Sequence, residues 1–285
     1  MLAFGSFGGE ELDYESDLDL VFVYDAAGHT TGGPRGSIDA TEWAARVSQR
    51  LLSHLTLPSA EGVLYRVDAR LRPSGSQGPL VTSLEAFSRY HGAHEDGPAA
   101  RGAALWERQA LLRARGIAGD EALCDAVSIR TLDAVAAQPA PPDVGAQIAE
   151  MRFRLDAVGP GGGVYPKKGP GGLLDIEFLT QFLQIQHGIR VPSTRRALDR
   201  LIGERWLDEE IGHELQRSYE LLRRVESRLR LLYWRPDVFV PPSGPGLTRL
   251  ARQLGDAGAD AGPRLLRDLN RCMARVREVF REIVR

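Results

Sequence analysis

Three carboxylates stand out by type and spacing. Asp17 and Asp19 open the run Asp17-Leu18-Asp19-Leu20-Val21-Phe22-Val23-Tyr24. Side chains two apart on a strand share a face, so the two acids point the same way. Beyond them, Leu18, Leu20 and Phe22 line one face and Val21 and Val23 the other. The acids therefore sit at the mouth of a strand that is otherwise buried. Two anions placed there repel each other and resist desolvation unless a cation lies between them. A divalent ion with hard oxygen ligands, Mg²⁺, meets that need. A third acid comes from Tyr65-Arg66-Val67-Asp68-Ala69-Arg70-Leu71-Arg72, in which Arg66, Asp68, Arg70 and Arg72 share one face. If the two strands pair, Asp68 lies across from Asp17 and Asp19, ringed by guanidiniums suited to phosphates. Upstream, Gly5-Ser6-Phe7-Gly8-Gly9 offers backbone N–H groups and a hydroxyl to an anion. Together these residues form a kit for phosphoryl or nucleotidyl transfer, in which cations neutralise a triphosphate and an acid takes the nucleophile's proton. Each part alone is weaker. An Asp-x-Asp usually marks a strand end or turn, and an Arg-Asp-Arg-Arg face can be a solvated row of weak ion pairs.

A second constellation is Lys167-Lys168-Gly169-Pro170-Gly171-Gly172, leading into Leu173-Leu174-Asp175-Ile176-Glu177-Phe178. A glycine-rich turn before a helix offers an anion free N–H groups and a favourable dipole. It is not a Walker A loop, because no Lys-Ser/Thr follows the last glycine. The competing reading is an acid-capped helix with Asp175 in its first turn. Lys167 and Lys168 are the only lysines, against 34 arginines, and that isolation favours a phosphate contact at Lys167. The six histidines have no zinc-site spacing and read as structural or surface residues. Trp106 reads as helix core, with Glu107 and Arg113 as exceptions on the same helix.

The elements that must hold these residues follow from periodicity. Leu18–Tyr24, Leu64–Leu71 and Pro79–Thr82 read as strands. A helix spans about 41–55, with Thr41 as its N-cap and Ala44, Val47, Leu51 and Leu55 at helical spacing. From about residue 84 the chain reads as helical, over 84–91, 103–115, 119–137, 144–157, 173–187, 194–203, 208–234 and 263–284. Pro139–Pro142 and Gly159–Gly163 break the pattern. The fold class is α+β: a small mixed sheet with helices, then an α-helical bundle. The domain division expected is 1–118 and 119–285.

Composition excludes several classes. At 285 residues, 43% hydrophobic and 26% charged, the chain is neither disordered, collagen-like nor a disulfide miniprotein. A net charge of −2 argues against a polycation for nucleic acid. No apolar run is long enough to span a membrane, no secretory signal is readable, and Cys124 and Cys272 form no metal motif, so the expected location is cytoplasmic.

On these motifs the chain resembles the glutamine synthetase adenylyltransferases, of the DNA polymerase β-like nucleotidyltransferase superfamily. Gly5 to Leu20 is similar to the family's Gly-x-x-Gly-Gly-x-Glu-Leu-x-x-x-Ser-Asp-x-Asp-Leu signature. Tyr65 to Gly75, Trp106 to Arg115 and Lys167 to Phe178 resemble three further motifs, in the same order. The resemblance implies transfer of AMP from ATP to a tyrosine of glutamine synthetase, with Asp17 and Asp19 as Mg²⁺ ligands. Asp68 would be the third ligand or the base. Gly5, Ser6, Gly8 and Gly9 would hold the triphosphate, with Arg66, Arg70 and Lys167 as further nucleotide contacts. Family enzymes carry two halves, one adding AMP and one removing it by phosphorolysis. Pro73-Ser74-Gly75, Gln109-Ala110 and Asp175-Ile176-Glu177 resemble the adding half. Phosphorolytic removal and a catalytically silent binding module are the alternatives. The resemblance also implies the nitrogen-signalling PII protein as a partner. Three departures accompany it: Ser6 stands where the family has lysine, the loop His91–Gly102 is longer, and the chain opens inside the first expected strand at a length suited to one half.

Overall fold

The computed structural model describes residues 1–25, 27–34, 36–58, 60, 62–63, 65–93 and 104–285. The loop expected to be long, His91–Gly102, falls outside the described residues from position 94 onward, as do Leu64 and the first residue of the helix expected over 103–115.

The chain divides into two compact units. One comprises residues 1–12, 16–139 and 188–193, and the other 13–15, 140–187 and 194–285. The elements of the first unit are β1 (Leu2–Ala3), α1 (Gly5–Gly8), β2 (Leu18–Tyr24), α2 (Ala40–Thr56), β3 (Val67–Asp68), β4 (Val81–Ser83), α3 (Leu84–Tyr90), α4 (Leu105–Leu112), β5 (Arg115–Gly116), α5 (Glu121–Val127) and α6 (Ala134–Ala136). The sheet is mixed. β1 is antiparallel to both β2 and β5, whereas β3 and β4 run parallel to β2 along successive stretches of it.

The alternation read in β2 is the alternation that packs. Leu18, Leu20 and Phe22 join Ala44 of α2 and Val81 in one core layer. Val21 joins Leu2, Phe4, Leu84, Phe87, Leu111 and Val127 in the other. Each such side chain taken out of water contributes about 1.5–3 kcal/mol, so a one-residue slip of β2 would exchange two buried faces at once. Asp17 and Asp19 share the parity of Val21.

Several expectations change. The strand expected over 64–71 shrinks to Val67–Asp68, because the Asp68 carboxylate accepts the Arg70 N–H and Arg72 donates to the carbonyls of Ala69 and Gly78, which turns the chain. The N-cap of α2 is Asp39, not Thr41; its side chain accepts the Thr41 N–H at 2.7 Å. The helix expected over 119–137 is broken by a wide-turn segment, Ser128–Asp133. There Arg190 donates to Asp133 and Ser128 as well as to the Ala114 carbonyl. Trp106 is 54% exposed and is not core; the buried residues of α4 are Leu105, Arg108, Gln109, Leu111 and Leu112.

The second unit is helical: α7 (Val144–Arg154), α8 (Leu173–His187), α9 (Thr194–Gly203), α10 (Glu209–Tyr233), α11 (Pro245–Gln253) and α12 (Ala261–Ile283). α8 packs against α7, α9, α10 and α12, and from Leu179 to Ile185 every residue is buried, as expected of a helix enclosed by others. Of the stripe Leu215, Tyr219, Leu222, Val225, Leu229 and Leu232 on α10, all but the half-buried Leu232 are buried. α11 begins at Pro245, a first-turn position where the missing N–H costs nothing. Cys124 and Cys272 are free thiols. Among the described residues, no helix is long and apolar enough to cross a membrane.

Candidate active site

The parallel register of β2 and β3 makes Asp19 and Asp68 direct lateral partners. Neighbouring strands lie about 4.8 Å apart, and Leu18 opposite Val67 fixes which face each acid takes. Asp17 precedes β2 by one residue, and its carboxylate accepts from Arg66 Nε at 3.0 Å. Both members of that pair are more than half exposed, so it adds little stability. Asp68 is held more firmly. Arg70 Nε donates to both of its carboxylate oxygens, at 3.0 and 2.9 Å, and the Arg70 backbone N–H donates at 2.8 Å. This grip holds the Asp68 carboxyl below the usual carboxylate range against the opposing effect of desolvation, so it is ionised at neutral pH.

The guanidinium of Arg70 is in turn pushed up, first by its hydrogen bond to Asp68 and then by the charge of Asp68, with smaller contributions from Asp17 and Asp19. One cation thus feels all three acids. Among the described residues, no group of three or more His, Cys, Asp or Glu side chains is already arranged as a metal cage. Asp17 and Asp68 are turned to their arginines instead. Of the other two arginines expected in the ring, Arg66 is at Asp17, while Arg72 serves the 69–78 turn.

The glycines before β2 have separate reasons to be glycine. Gly5 has φ +53°, and a Cβ there would overlap Asp19 Oδ2. Gly8 and Gly9 instead make room for Arg113: a Cβ on Gly8 would strike the Arg113 carbonyl, and one on Gly9 the Arg113 guanidinium. Ser6 uses its carbonyl to accept the Glu11 N–H at 2.8 Å. Gly5→Ala is expected to destabilise the chain by roughly 1–3 kcal/mol through backbone strain alone and to displace the Asp19 carboxylate. A lowered thermal midpoint, with Gly203→Ala as a control in open space on the second unit, checks this.

Spacing alone does not mark Arg113 and Arg115 as site residues. Their signal was present: two arginines separated by one residue, directly after a helix. Arg113 Nε donates to the Gly5 carbonyl at 3.0 Å, and its Nη2 pairs with the Glu11 carboxylate. Arg115 Nε donates to the Gly8 carbonyl at 3.0 Å, and its Nη2 to Phe7 at 3.2 Å.

In the second unit, the glycine N–H groups of the Lys167–Gly172 turn are already engaged. The N–H groups of Gly169, Gly172, Leu173, Leu174 and Asp175 donate to carbonyls within residues 165–172. The Gly171 N–H donates to Asp175 Oδ2 at 3.0 Å. Asp175 is fully buried between Arg152 Nη2, at 2.7 Å, and Arg277 Nη1, at 3.0 Å. Burial pushes its carboxyl up, against the pull of both guanidiniums. The acid-capped helix is therefore the better description of this turn. Lys168 pairs with Asp237 at 3.1 Å, and Lys167 is half-buried.

Residues 1–128 match the protein-family model described as Glutamate-ammonia ligase adenylyltransferase, and residues 166–284 match that described as GlnD PII-uridylyltransferase. Among curated proteins, several relatives bear the name bifunctional glutamine synthetase adenylyltransferase/adenylyl-removing enzyme. The relative from Streptomyces avermitilis is 35% identical over 291 residues, covering 99% of this chain and 27% of its own length. That from Xanthomonas axonopodis pv. citri is 35% identical, covering 98% and 29%. That from Vibrio parahaemolyticus is 34% identical, covering 84% and 25%. The chain thus spans less than a third of the length of these relatives.

Proposed function

Because residues 1–128 belong to the glutamate–ammonia ligase adenylyltransferase family, we propose that this chain transfers AMP from ATP to a tyrosine of glutamine synthetase, on a DNA polymerase β-like nucleotidyltransferase core. The observation that carries this reading is the register that sets Asp19 beside Asp68, with Gly5 against Asp19.

The acids suit Mg²⁺ by two criteria. Their donors are hard oxygens, and Asp17 and Asp68 each already hold a cation, Arg66 and Arg70 respectively. In this reading Asp17, Asp19 and Asp68 would hold the ion, once Asp17 and Asp68 exchange their arginines for it. A bound Mg²⁺ supplies neutralisation of the triphosphate charge.

The chain's own groups do the rest. Arg66 and Arg70 lie where their planar forks can turn from carboxylate to phosphate oxygens. Gly5 and Ser6 would meet the triphosphate beside Asp19, whereas the N–H groups of Gly8 and Gly9 donate to the carbonyls of Phe4 and Gly5 and serve the turn itself. Asp68, ionised at neutral pH, is the candidate acceptor for the tyrosine hydroxyl proton as that oxygen attacks the α-phosphorus and pyrophosphate leaves. The match of residues 166–284 to the PII-uridylyltransferase model supports a nucleotidyltransferase bundle and adds the PII protein as a candidate partner.

The test incubates the chain with ATP, Mg²⁺ and unmodified glutamine synthetase and reads peptide masses. AMP on a tyrosine is expected. Phosphate-dependent release of ADP from adenylylated glutamine synthetase, without forward transfer, would reverse the direction. Absence of Mg-ATP binding by calorimetry would make the chain a silent module.

A further inference from the structure

Two arginines outside the acid cluster hold the glycine turn beside it. β1 leads directly into α1, and β5 runs antiparallel beside β1, with Ala3 opposite Arg115. Ala114 points into the core and is fully buried. Arg113 is the C-cap of α4 and Arg115 opens β5, and both send their guanidiniums to α1. Between them they supply donors to the carbonyls of Gly5, Gly8 and Phe7. Arg115 also lies over the Phe7 ring, 5.7 Å from its centroid. Arg113 is anchored in turn by Glu11; both side chains are only 9% exposed. Gly8 and Gly9 lack side chains where Arg113 passes. The grip is thus built from both partners, with Gly8 and Gly9 admitting the Arg113 carbonyl and guanidinium and arginines whose forked donors reach carbonyls of the turn.

What the grip positions is Gly5, and Gly5 is in contact with the Asp19 carboxylate. We propose that Arg113 and Arg115 are positioning residues for nucleotidyl transfer, which hold the Gly5–Gly9 turn so that Gly5 fixes the Asp19 carboxylate for its cation. The inference rests on the reading above in one respect, that Asp19 binds a divalent ion. A lysine cannot replace either arginine, because a single ammonium lacks the planar fork that spans two carbonyls or a carbonyl and a carboxylate.

The test measures binding of Mn²⁺ alone to the full chain by electron paramagnetic resonance, at a temperature where circular dichroism shows every variant folded. Arg115→Ala is expected to raise the Mn²⁺ dissociation constant about tenfold, a loss of about 1.4 kcal/mol. Arg115→Lys is expected to do the same. Millimolar guanidinium should restore binding to Arg115→Ala and not to Asp19→Asn. Arg113→Lys is the second site, with a similar loss expected. A purely structural role would lower the thermal midpoint of these variants while leaving Mn²⁺ affinity of the folded chain unchanged, and that result overturns the inference. If the unsubstituted chain binds no Mn²⁺, the metal reading itself falls, and the inference with it.

Discussion

Asp19→Asn is expected to lower AMP transfer by on the order of 10³-fold, with the thermal midpoint unchanged or raised. The carboxamide keeps the shape that packs against Gly5 and removes one of the three charges that act on Arg70. Losing a group that stabilises transition-state charge in a preorganised site costs several kcal/mol, which corresponds to two to three decades in rate. Stability moves the other way because Asp19 and Asp68 are adjacent anions on neighbouring strands, and like charges placed opposite each other destabilise a sheet. Asp17→Asn should follow the same pattern with a smaller loss, since Asp17 lies before β2 and is half exposed. Initial rates of labelled AMP incorporation, with melting curves on the same samples, check both. A midpoint that falls with the activity would show that Asp19 serves the fold.

Asp175→Ala is expected to destabilise the second unit by about 3–5 kcal/mol, because it removes one member of a buried ion cluster and leaves two buried arginines to share the single carboxylate of Asp156. Arg152 is fully buried and Arg277 nearly so. Arg152 would keep Asp156 and the carbonyls of Lys168 and Gly169, but Arg277 would keep only Asp156 among its ion-pair partners. The Gly171 N–H would also lose its acceptor. The turn cannot relax easily, since Gly171 has φ +76° and lies against the Met273 backbone. Asp175→Asn should cost less, as the amide oxygen can still accept. Urea denaturation followed by tryptophan fluorescence reports the loss: Trp206 and Trp234 lie in the second unit.

Much of this architecture is legible in the residue pattern. β2 spans Leu18–Tyr24, and α8 and α9 run over 173–187 and 194–203, as periodicity alone indicates, because each buries a face wide enough to leave a repeat. β1, β5 and α1 leave no such trace. Two-residue strands are defined by their partners, and a four-residue helix of glycine, serine and phenylalanine has no face to repeat. α11 is hidden by Pro241-Pro242-Ser243-Gly244-Pro245, which reads as loop until Pro245 is seen to start a helix.

The site divides in the same way. Spacing placed Asp17, Asp19 and Asp68 on matching faces, and the register between β2 and β3 set two of them side by side. It did not show that Asp17 and Asp68 would be turned to Arg66 and Arg70, because ion pairing depends on side-chain reach. Nor did it show that Asp175 would bond the Gly171 N–H, which makes the lysine-bearing turn a structural device. The arginines at 113 and 115 lie about a hundred residues from the turn they grip, a separation that no local pattern reports.

The parallel pairing of β2 with β3 bears on how the chain comes to fold. Parallel neighbours cannot be joined by a tight turn, and Asp19 and Asp68 are separated in sequence by the whole of α2. Their meeting closes a loop of about fifty residues, an entropic cost that is recovered only once α2 has docked and the core around Leu18, Leu20 and Phe22 is formed. The acid pair therefore assembles after the more local pairing of β1 with β2. A nascent or partly folded chain would carry all three carboxylates and yet have no site, so that any appearance of metal affinity during refolding marks the long-range pairing of β2 with β3 rather than the local pairing of β1 with β2.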